Sequence, residues 1–324
     1  MIVRTGLTGP FPRPEPLISA TRDLDRGRTS PDAVEEVFRS TEAEVVALER
    51  RLEFDSLTAG YLRWPDLFRP FAETWEGVAV GPLTRWLETN TFFRQPILLA
   101  PPGRTPGAFA QRLPPPLRTE PGSARVLLPG PYTFAGVSDN RSGETDEAVV
   151  HRIGRALAEE VRELAGLGFR TFLFSDPLLV VRPPEGPRAE AVVAGYAAVR
   201  SALAGATSLV WTYGADAAPA FPLLDRLPVS AVGVDLAETD VERLPSAGPE
   251  RTGLGLGVVD PRTTLAEDPA EVARVVRAAY DRRRPAVVWL GPGGPLDLLP
   301  WEPATRKLHV LAAVRQALGD GGRP

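Results

Sequence analysis

Short apolar runs, each closed by polar residues and followed by a helix-like stretch, recur along the whole chain. The clearest are 207–214 (Thr-Ser-Leu-Val-Trp-Thr-Tyr-Gly) and 229–236 (Val-Ser-Ala-Val-Gly-Val-Asp-Leu). Such runs lack the alternation of a half-exposed strand and suit parallel strands covered on both faces. Similar runs lie at 2–6, 54–59, 125–129, 170–175, 253–258 and 286–290, which makes eight predicted strands. Helical periodicity fills most intervals. Ser30-Pro31-Asp32 reads as a cap, a proline at the first position and an acid in the first turn. Val34, Val37, Phe38, Thr41, Val45, Leu48 and Leu52 then hold one face. Val149, Ile153, Leu157, Val161 and Leu164 form a second stripe, and Asp268-Pro269 with Glu271 opens another helix. Further helices are predicted at 189–203 and 302–318.

Strands mostly followed by helices predict an α/β fold, a closed (β/α)8 TIM barrel forming a single domain over 1–324. A doubly wound sheet is the alternative, but Gly253, Gly255 and Gly257 alternate within a strand and form no dinucleotide-binding turn. Residues 61–123, rich in tryptophan, proline and arginine, read as a long excursion between strands two and three. Its only strand-like piece is 91–99, and it is expected to pack on the barrel's C-terminal face, since excursions of this length are usually functional.

Composition narrows the chemistry. There is no cysteine, which removes disulfides, thiolate metal sites and cysteine nucleophiles. The two histidines, His151 and His309, both fall in predicted helices, so no histidine-based triad or metal cluster can be assembled. Of 37 basic residues only Lys307 is lysine, leaving 36 arginines. A net charge of −4 without a basic stripe argues against nucleic acid. No apolar run approaches a membrane span, and the N-terminus shows no export signal, which predicts a cytoplasmic protein.

Barrels of this kind do their chemistry at the C-terminal strand ends. Those positions hold Tyr132, Asp176, Thr212, Tyr213, Asp216, Asp235, Asp260 and Asp297, among others. An aspartate there often caps the next helix. Asp176 stands out because Pro177 restrains its backbone, and it is the catalytic candidate. Arg13, Arg63 and Arg94 could fork onto carboxylates, while Trp86 or Phe93 could stack on a flat ring. Tyr132, Tyr213 and Asp235 complete the candidate ligand set. The segment 291–295 (Gly-Pro-Gly-Gly-Pro) reads as a turn rather than a phosphate cradle, because its prolines remove donors and Asp297 repels anions.

Several segments in order carry a family resemblance: 9–14 (Gly-Pro-Phe-Pro-Arg-Pro), 127–134 (Leu-Leu-Pro-Gly-Pro-Tyr-Thr-Phe), 174–179 (Phe-Ser-Asp-Pro-Leu-Leu) and 256–260 (Leu-Gly-Val-Val-Asp), with Trp86, Thr89 and Asn90. Together they resemble cobalamin-independent methionine synthase, a family built from two related barrels. The resemblance implies a barrel of the zinc-less, N-terminal type. The zinc positions of the other barrel correspond to Val210, Thr212, Asp235 and Gly294, of which only Asp235 could still ligate. By the same resemblance, the ligand is expected to be 5-methyltetrahydrofolate or a similar aromatic polyacid, with no required cofactor and a separate zinc-bearing barrel as partner. Alternatives are a self-sufficient methyltransferase with another donor, a metal-free decarboxylase of the uroporphyrinogen type, and a structural partner with a vestigial pocket.

Overall fold

A computed structural model describes residues 1–87, 89–246 and 253–319. Ten strands are formed: β1 (Ile2–Thr5), β2 (Glu76–Arg85), β3 (Phe92–Gly103), β4 (Arg125–Pro129), β5 (Asp139–Asn140), β6 (Thr171–Ser175), β7 (Thr207–Trp211), β8 (Ala231–Asp235), β9 (Gly253–Val259) and β10 (Val287–Pro292). Seven make one parallel sheet in the order β1-β10-β9-β8-β7-β6-β4. It curls into an open barrel with helices outside. The helix Pro31–Arg51 begins where the cap pattern puts it, with Ser30 accepting from the Ala33 N–H. Asp268 caps the helix Pro269–Arg283 through the N–H groups of Ala270 and Glu271. The stripe from Val149 to Leu164 is buried on the helix Asp146–Gly166.

The alternating glycines of β9 have a packing reason. Trp211 points into the barrel and is fully buried, its Nε1 donating to the Gly293 carbonyl at 3.2 Å. A Cβ at Gly233 would lie 2.2 Å from the indole, and one at Gly255 2.5 Å from it. The indole fills the space that side chains on these neighbouring strands would otherwise occupy.

Two expectations need correction. The barrel does not close with eight regular strands. Residues 54–59, expected as the second strand, form no ladder with the sheet and make one isolated parallel bridge, Leu57–Ala124. Left-handed backbone at Glu53 (φ 54°) and Ala59 (φ 51°) brackets the segment and leaves no length for a ladder. Side chains supply the missing bonds. Asp55 Oδ2 accepts from the Thr5 N–H at 2.7 Å, beside the backbone bond from Asp55 N–H to the Thr5 carbonyl. The Tyr61 hydroxyl donates to the Arg125 carbonyl at 2.6 Å and accepts from the Leu127 N–H at 2.7 Å. Arg125 reaches from β4 to the Leu7 carbonyl at 2.8 Å. In the excursion, 91–99 is not the only strand. β2 and β3 form an antiparallel hairpin, and β3 continues to pair with β5. Gly77, Gly81 and the prolines of β2 and β3 obscure the alternation that marks a strand.

Candidate functional site

At the C-terminal ends of the strands a cavity of about 270 Å³ opens between the barrel and the excursion. The barrel side is Gly9 and Pro10 after β1, Leu127 in β4, Ser175 ending β6, Tyr213 beyond β7, Asp235 ending β8, Arg262 beyond β9, and Gly294, Pro295, Asp297 and Leu298 beyond β10. The excursion supplies the roof with Trp64 to Phe68, Trp86, Leu87, Thr89 and Thr91 to Phe93.

Rings dominate the roof. Phe68 lies 5.5 Å from Trp86 and 5.2 Å from Phe93, and Trp86 meets Phe93 edge-on at 5.5 Å. Asp66 holds this cluster in place. Its Oδ1 accepts from the N–H groups of Phe68 and Arg69, and its Oδ2 from the Arg94 N–H of β3. One carboxylate thus ties the start of the short helix Arg69–Ala72 to the hairpin.

The barrel wall is polar. Asp235 is almost wholly buried; its Oδ1 accepts from the Ala237 N–H at 3.0 Å and its Oδ2 lies 4.0 Å from Arg262. Burial raises its carboxyl above the usual range, although Ala237 and Arg262 oppose the shift. Arg262 is itself held by Asp260 at 2.8 Å and by Glu238. Ser175 donates to the Tyr213 hydroxyl at 3.4 Å. Asp297 is exposed on the cavity wall, where the neighbouring protein displaces part of its water and raises its carboxyl above the usual range. Arg13 is its only opposing cationic influence.

Four of the residues expected to bind ligand therefore share the cavity: Trp86, Phe93, Tyr213 and Asp235. Five candidates are placed elsewhere. Arg13 spends its donors on the carbonyls of Leu62 and Trp64. Arg63 makes forked pairs with Glu35 and Glu42, stacks 4.9 Å over Phe38 and lies outside the cavity. Arg94 extends from the hairpin into solvent with no side-chain partner among the described residues. Tyr132 donates to the Arg182 carbonyl at 2.8 Å. Asp176 is fully buried beneath the mouth: Oδ1 accepts from the Thr133 N–H and hydroxyl, and Oδ2 from the Tyr196 hydroxyl at 2.8 Å. Burial pushes its carboxyl up to about 6 despite those three donors. It knots β6 to two helices and has no free oxygen facing the cavity. Asp216 caps the Ala218 N–H and pairs with Arg243.

Asp297, Ser175, Phe68 and Trp64 also line the cavity, although the sequence pattern does not single them out as ligand residues. For Asp297 the signal was present: a carboxylate just past the last strand, after a glycine-rich turn that keeps the wall thin. Among the described residues, no group of three or more His, Cys, Asp or Glu could hold a metal ion. No helix among them is long and apolar enough to cross a membrane.

A family model described as "Cobalamin-independent synthase, N-terminal domain" matches residues 76–283. The chain belongs to that family. Among curated relatives, methionine synthase of Sulfurisphaera tokodaii is 25% identical over 316 residues, covering 95% of this chain and 90% of the relative. Methionine synthase of Sulfolobus acidocaldarius is 23% identical, covering 95% and 89%. In fold, the chain is similar to a B12-independent methionine synthase from a Shewanella species in complex with selenomethionine, with TM-score 0.72, 16% identity and coverage of 98% and 97%. A putative B12-independent methionine synthase from Listeria monocytogenes gives TM-score 0.71 at 13% identity, with 98% of each chain covered. These family relationships agree with the ordered motifs at 9–14, 127–134, 174–179 and 256–260.

Proposed function

We propose that this barrel binds the flat head of a methyl carrier, methyl-folate or a heterocycle like it, for methionine synthesis beside a separate zinc-bearing barrel. The observation that carries the reading is the cavity itself. A roof of Phe68, Trp86 and Phe93 faces Asp235 and Asp297 on the opposite wall. Rings offer a slot for stacking, and the two carboxylates can accept from the amino and ring N–H groups of a pterin. Support for the acidic tail is slighter. Of the three arginines expected to grip it, none lines the cavity, and Arg94, on the hairpin, has no side-chain partner among the described residues. A metal-free decarboxylase would need those arginines inside the cavity, and they are not there.

Zinc does not fit this donor set. Val210 is apolar and buried in β7, and the buried Thr212 hydroxyl donates to the Gly233 carbonyl at 2.9 Å. Gly294 has no side chain, which leaves Asp235 alone. Holding a thiol as thiolate calls for a cation with several soft or borderline ligands. The proposed role is therefore binding and orienting the carrier, with activation of the sulfur left to the partner.

Calorimetric titration with 5-methyltetrahydrofolate and its triglutamate tests this. Saturable binding at micromolar concentration is expected, lost in Trp86→Ala. Absence of binding at high micromolar concentration overturns the reading. Methylation of homocysteine by the purified chain without a partner would instead favour a self-sufficient enzyme.

A further inference from the structure

The charge inside the cavity has a sign. Its described lining residues include three carboxylates, Asp66, Asp235 and Asp297, against one cation, Arg262. Asp66 is consumed by three backbone N–H groups, and Asp235 is shared between Ala237 and Arg262. Arg262 is in turn neutralised by Asp260 and Glu238. Asp297 differs from these. Among the described residues no side chain hydrogen-bonds it or pairs with it, and Arg13, its electrostatic neighbour, gives its donors to carbonyls. The Asp297 side chain is exposed on the cavity wall, so a positive or hydrogen-donating group seated on the rings can reach a carboxylate that no cation among the described residues pairs.

The surrounding walls favour a particular kind of positive charge. Trp64, Phe68, Trp86, Phe93 and Tyr213 face the same space, and ring faces attract cations. An ordinary ammonium carries three donors, each needing an acceptor. Apart from Asp297, most acceptors here already have partners. A cation whose charge is covered by methyl groups needs no hydrogen bonds and buries apolar surface against the rings.

We infer that the cavity recognises a methylated onium centre, a quaternary ammonium or a sulfonium, with its methyl groups against Trp86 and Phe93 and its charge facing Asp297. The inference goes beyond the methyl-folate reading: it concerns the same cavity but assigns the ligand a positive charge, and each can fail without the other.

Choline and its uncharged isostere 3,3-dimethylbutan-1-ol separate charge from shape, and (2-hydroxyethyl)dimethylsulfonium distinguishes sulfonium from ammonium. Tryptophan fluorescence or calorimetry on the full chain is expected to show at least one onium binding about tenfold more tightly than the alcohol. Asp297→Asn should abolish most of that preference, while Asp297→Glu, which keeps the charge, should retain it. Thermal melts establish that each variant is folded. If neither onium exceeds the neutral isostere, or a folded Asp297→Asn keeps the preference, the inference falls. Methyl-folate binding without onium preference would sink this inference and leave the carrier reading standing. Onium preference without methyl-folate binding would do the reverse.

Discussion

Single carboxylates in this fold differ by what surrounds them rather than by their position along the strands. Asp176 and Asp297 both follow barrel strands, but Asp176 is fully buried, with its carboxyl pushed up to about 6, whereas the Asp297 side chain is exposed on the cavity wall. Asp176 is fully engaged by Thr133 and Tyr196. Asp176→Ala would strand buried donors, and should cost about 3 kcal/mol in urea unfolding. Asp176→Asn, keeping the shape, should leave affinity for any cavity ligand near that of the parent, which calorimetry can check. Glu49 tests burial in another way. It is fully buried, accepts from Thr58 and Ala59, and its carboxyl is pushed up to about 7 from an ordinary 4.5. An acid whose folded value lies above its unfolded value binds more protons when folded. Its contribution to stability is therefore greatest at low pH and is lost as pH rises from about 4.5 to about 7. The stability advantage of the parent over Glu49→Gln should shrink across that window by about 3 kcal/mol at most, as measured by unfolding at pH 5 and pH 8.

At the level of elements, the β2–β3 hairpin and β9 carry different obligations. The hairpin's tip builds half the cavity roof through Trp86 and Phe93, while its base is anchored by Trp75, whose Nε1 donates to Glu160 at 3.0 Å. Truncating Trp86 should therefore reduce ligand affinity more than it reduces stability. β9 has no such slack. Gly255→Ala would put a methyl 2.5 Å from Trp211 and 2.6 Å from the Gly233 backbone. Overpacking of that kind should cost about 1–3 kcal/mol in a thermal or urea melt. Equal stability of Gly255→Ala and the parent would mean that the indole can leave the barrel interior.

For the whole molecule, the decisive feature is the gap between β1 and β4. The barrel is held across it by Asp55, Tyr61 and Arg125 instead of a full strand. Tyr61→Phe removes two hydrogen bonds to the β4 backbone, and leaves the Leu127 N–H and the Arg125 carbonyl without that partner. A loss of about 2–3 kcal/mol is expected, with faster amide exchange at Leu127 than in the central strands β7 and β8. Uniform exchange across the sheet would show that the gap is no weak seam.

Much of this barrel was legible beforehand because its signals are local. Buried parallel strands show as continuous apolar runs, and helix starts show in Ser30-Pro31 and Asp268-Pro269, since each depends on residues a few positions apart. The absence of cysteine likewise settled, without coordinates, that no thiolate could serve here. The second strand misled because Leu57 looks like strand while the left-handed backbone at Glu53 and Ala59 that shortens it belongs to its tertiary setting. Which charges face the cavity was decided only by folding. Arg63 is neutralised by Glu35, 28 positions earlier, and Asp176 accepts a hydrogen bond from Tyr196, 20 positions later, while Asp297 is left open. Such pairings depend on how distant elements pack, and no spacing along the chain encodes them.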